Sequence, residues 1–189
     1  MKSQSFRVAD LAFKSDEKKH SLLLWGIIFI LGVCVFYLFS LGYGARKVPL
    51  PYEYSAQDLY SGKAVSLSQY RGSAVVLMSW ATWCMDCKDE LAALERLWDS
   101  MHERGLVVIA VNLDAVEANK QIEDMVNQYD LSYPIWRDPE NTFFSTFNAP
   151  GIPTTVLLDK QGVVVRAWVG PVDFEVWDVR EDIEDVLVQ

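Results

Sequence analysis

The stretch Trp80-Ala81-Thr82-Trp83-Cys84-Met85-Asp86-Cys87-Lys88 constrains this chain more than any other. An apolar run, Ala74 to Met78, leads into it, and a helical pattern starting near Lys88 leads away. A strand therefore delivers two thiols to the first turn of a helix. Free backbone N–H groups and the positive end of the helix dipole lie there. Both favour the thiolate, which is the reactive form of cysteine. The spacing also lets the two sulfurs reach each other and cycle between dithiol and disulfide.

The remaining elements can be placed around this junction. Residues 54–70 read as a hairpin turning at Ser61-Gly62-Lys63. Ala74–Trp80 is almost continuously apolar, as for a strand buried on both faces. Leu91, Leu94, Leu97, Trp98 and Met101 form a helical stripe within Lys88–Arg104, which Gly105 ends. Leu106–Leu113 is a second buried-type strand, followed by a helix over Glu117–Tyr129 and a short strand at Tyr133–Trp136. A short helix at Asn141–Phe147 precedes the break Pro150-Gly151-Ile152-Pro153. Thr154–Leu158 and Val163–Val169 then form a hairpin, and Phe174–Val188 a closing helix. Alternating strands and helices with a terminal hairpin predict an α/β domain with a central mixed sheet and helices on both faces.

Ahead of this domain, 25 uncharged residues separate His20 from Arg46. About 20 apolar helical residues span a bilayer core, so residues 21–45 are expected to form a transmembrane anchor. Trp25 near one end, and Tyr37 and Tyr43 toward the other, suit interfacial positions. Lys2, Arg7, Lys14, Lys18 and Lys19 precede the run, and Arg46 and Lys47 follow it. This bias places residues 1–20 as a cytoplasmic tail and the large domain outside. A cleaved signal peptide is the rival reading, but its apolar region is roughly 7–15 residues with small residues at the cut. Cys34 sits mid-run after the bulky Val33, which suits a small apolar helix residue better than a lipoprotein site. Residues 46–52 read as a linker stiffened by Pro49 and Pro51, and residues 53–189 as the outer domain.

Charge and cysteine count exclude several functions. The net charge is −9, and residues 1–20 contribute none of the excess. An acidic domain repels nucleic-acid phosphates, so no nucleic-acid role is expected. Three cysteines, Cys34, Cys84 and Cys87, cannot frame a disulfide scaffold of this size. A structural zinc site needs four ligands, and the only other candidates are Cys34, His20 and His102. His102 is expected as an exposed helix-terminal residue. Neither a phosphate loop nor a dinucleotide fingerprint is present, and no metal or redox cofactor is expected. Peroxidase chemistry resembling Thr-x-x-Cys preceded by proline is not matched, because Thr82 stands two residues before Cys84 with no proline nearby. Dithiol–disulfide exchange remains.

With Trp80-Ala81, Trp83-Cys84-Met85-Asp86-Cys87 and Gly151-Ile152-Pro153-Thr154, the chain resembles the thioredoxin superfamily. Within it, the resemblance is to the membrane-anchored reductases of the bacterial cell envelope, the TlpA, ResA and cytochrome-c-maturation type. It covers roughly residues 52–189 and the anchor, and Glu117–Trp136 resembles the helix-strand insertion of that subgroup. The resemblance implies a thioredoxin-like fold and a redox-active Cys84–Cys87 disulfide. It implies Cys84 as the exposed attacking thiolate, Cys87 as the resolving cysteine and Pro153 as a cis-proline facing the pair. Trp83, Ile152 and Thr154 are implied as substrate contacts. Glu90 resembles an acidic residue kept beside the pair, able to accept a proton or to raise the thiol pKa values. A first-turn acid favoured by the helix dipole is the alternative for Glu90. Thioredoxin itself carries a buried Asp where this chain has Met78, so the proton route must differ.

The implied partners are disulfide-bearing extracytoplasmic proteins, among them apocytochrome c, a membrane dithiol electron donor, and the lipid bilayer through residues 21–45. The implied location is the bacterial cytoplasmic membrane, with a single pass and a periplasmic catalytic domain. Asp86, Asp89 and Glu90 oppose a stabilised thiolate at Cys84, which favours a disulfide reductase over a strong oxidant. A disulfide-donating oxidase or isomerase, and a non-catalytic binding module, are the alternatives.

Overall fold

The computed structural model describes Ile30, Gly32, Val33 and residues 54–189. The chain divides into two units, Met1–Arg46 and Lys47–Gln189. In the first, Ile30, Gly32 and Val33 are helical. The expected tail at 1–20, linker at 46–52 and the rest of the expected anchor at 21–45 lie outside the described residues. Among the described residues, no helix is long and apolar enough to cross a membrane.

The second unit is built on one mixed sheet of seven strands. These are β1 (Ser55–Asp58), β2 (Ala64–Ser66), β3 (Ala74–Trp80), β4 (Leu106–Asn112), β5 (Ile135–Arg137), β6 (Thr154–Leu158) and β7 (Val164–Val169). Their spatial order is β2-β1-β5-β4-β3-β6-β7. β3, β4 and β5 run parallel, while β1 pairs antiparallel with β5 and β6 with β3. The short β5 is therefore the bridge through which the β1–β2 hairpin joins the parallel strands. The helices are α1 (Met85–Met101), α2 (Asn119–Gln128), α3 (Thr142–Phe147) and α4 (Trp177–Val188).

Strand side chains alternate between two faces, and the core divides accordingly. Val76, Met78 and Trp80 pack with Leu91, Leu94 and Leu97 of α1, Ile122 of α2 and Ile183 of α4. Val75 and Leu77 pack on the other face with Leu67, Trp136, Phe143 and Phe147. Each fully buried Leu of α1 contributes about 2 kcal/mol relative to an exposed one, so α1 is held to the sheet along its whole apolar stripe. Helices do cover both faces, but unequally: three lie on the Met78 face, and α3 lies on the other with a short turn at Leu67–Tyr70.

Several expected boundaries shift. α1 begins at Met85, not near Lys88, because the cysteines themselves occupy its first turn. It ends at Met101, and a 3-10 turn (His102–Arg104) carries the chain to Gly105, whose φ of 95° suits a residue without a side chain. The expected helix from Glu117 is a 3-10 turn at Val116–Ala118 followed by α2. The strand expected at Tyr133–Trp136 is Ile135–Arg137, and the closing helix starts at Trp177 rather than Phe174. His102 is exposed, with its ring stacked on Trp98.

Candidate functional site

Seven buried residues of β3 end in the loop that carries the cysteines. Cys84 is the N-cap of α1, with no side-chain cap hydrogen bond, and Cys87 lies in its first turn. The two are joined in a disulfide with their Cα atoms 5.4 Å apart. Thr82 anchors the loop from the side: its backbone N–H donates to an Asp114 carboxylate oxygen at 2.8 Å, and its hydroxyl to the other at 3.2 Å. Asn112 also donates to Asp114, at 2.8 Å. The cysteine loop is thus tied to the loop following β4.

Cys84 differs from the exposed cysteine expected. It keeps 7% of its surface in the disulfide, against none for Cys87. The order of accessibility holds, but the pair is sunk between its neighbours. The exposed groups are Trp83 at 72% and Met85 at 71%, which flank Cys84 and frame an apolar rim around the disulfide.

The Ile152–Pro153 peptide bond is cis. β3 and β6 pair up to Ser79 opposite Thr154, so Pro153 lies one residue beyond the last paired position, on the side of the cysteine loop. The Ser79 hydroxyl locks this corner by donating to the Thr154 carbonyl and accepting from the Thr154 N–H. Thr154 departs from its expected contact role. It is 1% exposed and its hydroxyl donates to the Gly151 carbonyl at 2.7 Å, so its side chain holds the loop rather than facing a partner. Ile152 is half-buried against the core.

Glu90 is the buried acid of the site. It follows Cys87 by three residues, which sets both on one face of α1. Only 2% of it is exposed. Its carboxylate accepts from the Thr155 hydroxyl at 2.5 Å and from the Val172 N–H at 3.3 Å. Burial raises its pKa from the ordinary 4.5 to about 7, against the downward pull of those two hydrogen bonds. The first-turn, dipole-favoured alternative for Glu90 is overturned, since Asp86 is the acid in that turn and Glu90 lies deeper. Nor does Glu90 stand beside the pair as a permanent negative charge, because near neutrality it is only partly ionised.

Met78 is fully buried and its Cα partner across β6 is Thr155, the residue that donates to Glu90. A titratable carboxyl therefore reaches this part of the core from the helix, not from the strand position held by Met78. Sequence reading missed Thr155, Asp114 and the Val172 N–H. Asp114 had a signal, an Asn-x-Asp run directly after an apolar strand; Thr155 had none, because its value depends on register with β3.

Chemically, the arrangement can exchange a disulfide. It has a pair of sulfurs at a helix N-terminus, one more accessible than the other, and a proton-titrating carboxyl three residues behind the inner one. Among the described residues, no group of three or more His, Cys, Asp and Glu side chains could hold a metal ion.

Comparison with known proteins agrees with this chemistry. The AhpC/TSA family profile matches residues 47–167. A protein named thiol-disulfide oxidoreductase ResA from Bacillus cereus is 32% identical over 158 residues, covering 80% of this chain and 90% of that protein. The protein of the same name from Bacillus thuringiensis is 29% identical and covers 89% of this chain and 96% of its own length. Among solved structures, a thiol:disulfide interchange protein DsbE from Chlorobium tepidum superposes with a TM-score of 0.66 at 26% identity. That match covers 74% of this chain and 95% of the other.

Proposed function

We propose that this chain, which belongs to the AhpC/TSA family and is a thiol–disulfide oxidoreductase, works as a membrane-tethered reductase of extracytoplasmic protein disulfides. The observation that carries the reading is the Cys84–Cys87 disulfide with the buried, titratable Glu90 on the same helix face.

In the reduced enzyme, the Cys84 thiolate at the N-terminus of α1 attacks one sulfur of a substrate disulfide. A mixed disulfide forms and the other substrate sulfur leaves as a thiolate. Cys87 then gives its proton to Glu90, and its thiolate attacks the Cys84 sulfur. The second substrate thiol is released and the Cys84–Cys87 disulfide closes. Two electrons have moved to the substrate, and a partner dithiol must return two. No redox cofactor is needed on this chain. A carboxyl titrating near 7 is matched to such a step. Trp83 and the Ile152-Pro153 corner are the surfaces against which substrate would lie, with main-chain pairing at Ile152.

Direction is supported by charge. Asp86 and Asp89 are exposed acids on the first turns of α1, and they oppose stabilisation of a thiolate at Cys84. A thiolate held less firmly leaves the dithiol a better reductant. Tethering rests on residues 21–45 and on the basic residues preceding them, which put residues 1–20 in the cytoplasm and the catalytic domain outside. Apocytochrome c is one substrate that fits the resemblance to the cytochrome-c-maturation type.

The test is to trap mixed disulfides in membranes with Cys87→Ala and to identify what is attached to Cys84. Extracytoplasmic proteins with paired cysteines are expected there. A measured potential as oxidising as that of disulfide-donating enzymes, near −120 mV, would overturn the direction.

A further inference from the structure

β3 and β4 pair in parallel up to Trp80 opposite Asn112, and the Leu113 N–H still donates to the Trp80 carbonyl at 2.9 Å. Beyond this point the two backbones part. β3 runs into the cysteine loop, and β4 into the loop that leads to the turn at Val116–Ala118. A side chain takes over where the ladder stops. The Asp114 carboxylate, 6% exposed, accepts from the Thr82 N–H and from the Asn112 side-chain amide on one oxygen, each at 2.8 Å. Its other oxygen accepts from the Thr82 hydroxyl at 3.2 Å. Three donors thus converge on one group that offers only acceptors. Asp114 is itself fixed at both backbone ends. Its N–H donates to the Asn112 side-chain oxygen at 3.0 Å, and its carbonyl accepts from the buried Arg137 Nη2 at 3.3 Å.

Thr82 stands at a consequential position. The Cys84 N–H donates to the Ala81 carbonyl at 3.0 Å, so Ala81-Thr82-Trp83-Cys84 closes a four-residue turn with Thr82 and Trp83 at its centre. This turn displays the exposed Trp83 and delivers Cys84 to the N-cap of α1. In the oxidised chain the Cys84–Cys87 bond also holds Cys84 in place. That restraint disappears whenever the disulfide opens, whereas the Asp114 contacts involve no sulfur.

We propose that Asp114 is a positioning residue for thiol–disulfide exchange: its carboxylate clamps the turn that aims Cys84 and Trp83 when the disulfide is open. Asp114 acts through Thr82 and not on a sulfur. The inference rests on Cys84 as the attacking sulfur and is independent of the direction of electron flow. The clamp matters most in the dithiol, where a displacement of about 1 Å at the attacking atom can cost roughly a hundredfold in rate.

The test is attack of the reduced full chain on oxidised glutathione, followed by tryptophan fluorescence and normalised to folded protein. Asp114→Ala should slow attack about tenfold or more. With insulin as the disulfide-bearing substrate it should also raise KM about threefold, because the aromatic contact at Trp83 moves with the turn. Asp114→Asn should recover most of the loss. Its amide oxygen still accepts from the Thr82 N–H and from Asn112, and its NH2 donates to the Thr82 hydroxyl. Equal losses in the two variants would assign the effect to charge and overturn the clamp. So would an alanine variant that is less stable yet attacks at the parent rate. Cys84→Ser, run alongside, must be inactive; activity there would remove the attacking sulfur on which the clamp depends. Should Asp114→Ala not fold, hydrogen exchange in the reduced parent decides. The Thr82 amide should exchange about tenfold or more slowly than the Trp83 amide, as for a charge-assisted hydrogen bond. Equal exchange of the two would overturn the clamp.

Discussion

Glu90 and Asp138 are both almost wholly buried, at 2% and 4% exposure, but their surroundings treat them differently. Asp138 collects donors from three residues: the Tyr54 hydroxyl at 3.0 Å, the Phe143 N–H at 2.7 Å and the Thr142 hydroxyl at 3.1 Å. It does so at the start of α3, where Asn141 makes no side-chain cap of its own. Asp138 therefore satisfies a free N–H of that helix and ties it to Tyr54 ahead of β1. Glu90 has two donors, and Cys87, Leu91 and Leu94 of the same helix are core residues. A carboxylate given enough donors is a fastener. Glu90, buried with two donors, is a group that titrates near neutrality.

The comparison can be broken at several points. Cys84→Ser should abolish reduction of a disulfide-bearing protein substrate, by roughly three orders of magnitude or more, as for loss of a covalent nucleophile. Its circular dichroism should be unchanged, and residual turnover within about tenfold of the parent would remove Cys84 from the attacking role.

Glu90 should shape the pH dependence of stability. Below pH 4.5 it is protonated in both folded and unfolded chains. Between 4.5 and about 7 the unfolded chain ionises first, so the native state binds more protons and stability falls as pH rises. Above that window the loss is complete, on the order of 3 kcal/mol at about 1.4 kcal/mol per pKa unit. Urea melts from pH 4 to 8 should show this slope in the parent and lose it in Glu90→Gln. The same variant should shift the pH profile of the resolving step; a parallel profile would confine Glu90 to structure.

Asp138→Asn should cost about 2 kcal/mol, since an amide replaces a charged acceptor serving several buried donors. Activity per folded molecule should be retained. If Asp138→Asn instead altered the pH profile of turnover while Glu90→Gln did not, the roles given to the two acids would be reversed. The smallest effect is expected at the rim. Trp83→Ala should raise KM roughly three- to tenfold, as for an aromatic contact residue, and leave stability unchanged because the side chain is 72% exposed.

Much of the fold was legible in the sequence because its signals are local. β3 and β4 are apolar runs, the α1 stripe has helical spacing, and Gly105 stops what precedes it. Pro153 and the cysteine pair stood out as short motifs. Thr154 was misjudged because only its packing against Ser79 and Gly151 shows that its hydroxyl is already used. The start of α1 was set three residues late because Cys84 and Cys87 carry no helical periodicity.

By itself, the sequence determined that two cysteines would meet at the head of a helix behind a buried strand. Spacing and hydropathy act within a few residues and need no partner. The tertiary structure alone decided what surrounds them. Glu90 titrates near 7 because the fold buries it, against the downward pull of hydrogen bonds from distant Thr155 and Val172, and Arg137 is held by the Asp114 and Ala115 carbonyls of the loop after β4. Desolvation depends on how much of the chain folds over a group, and that quantity exists only once the sheet order is set.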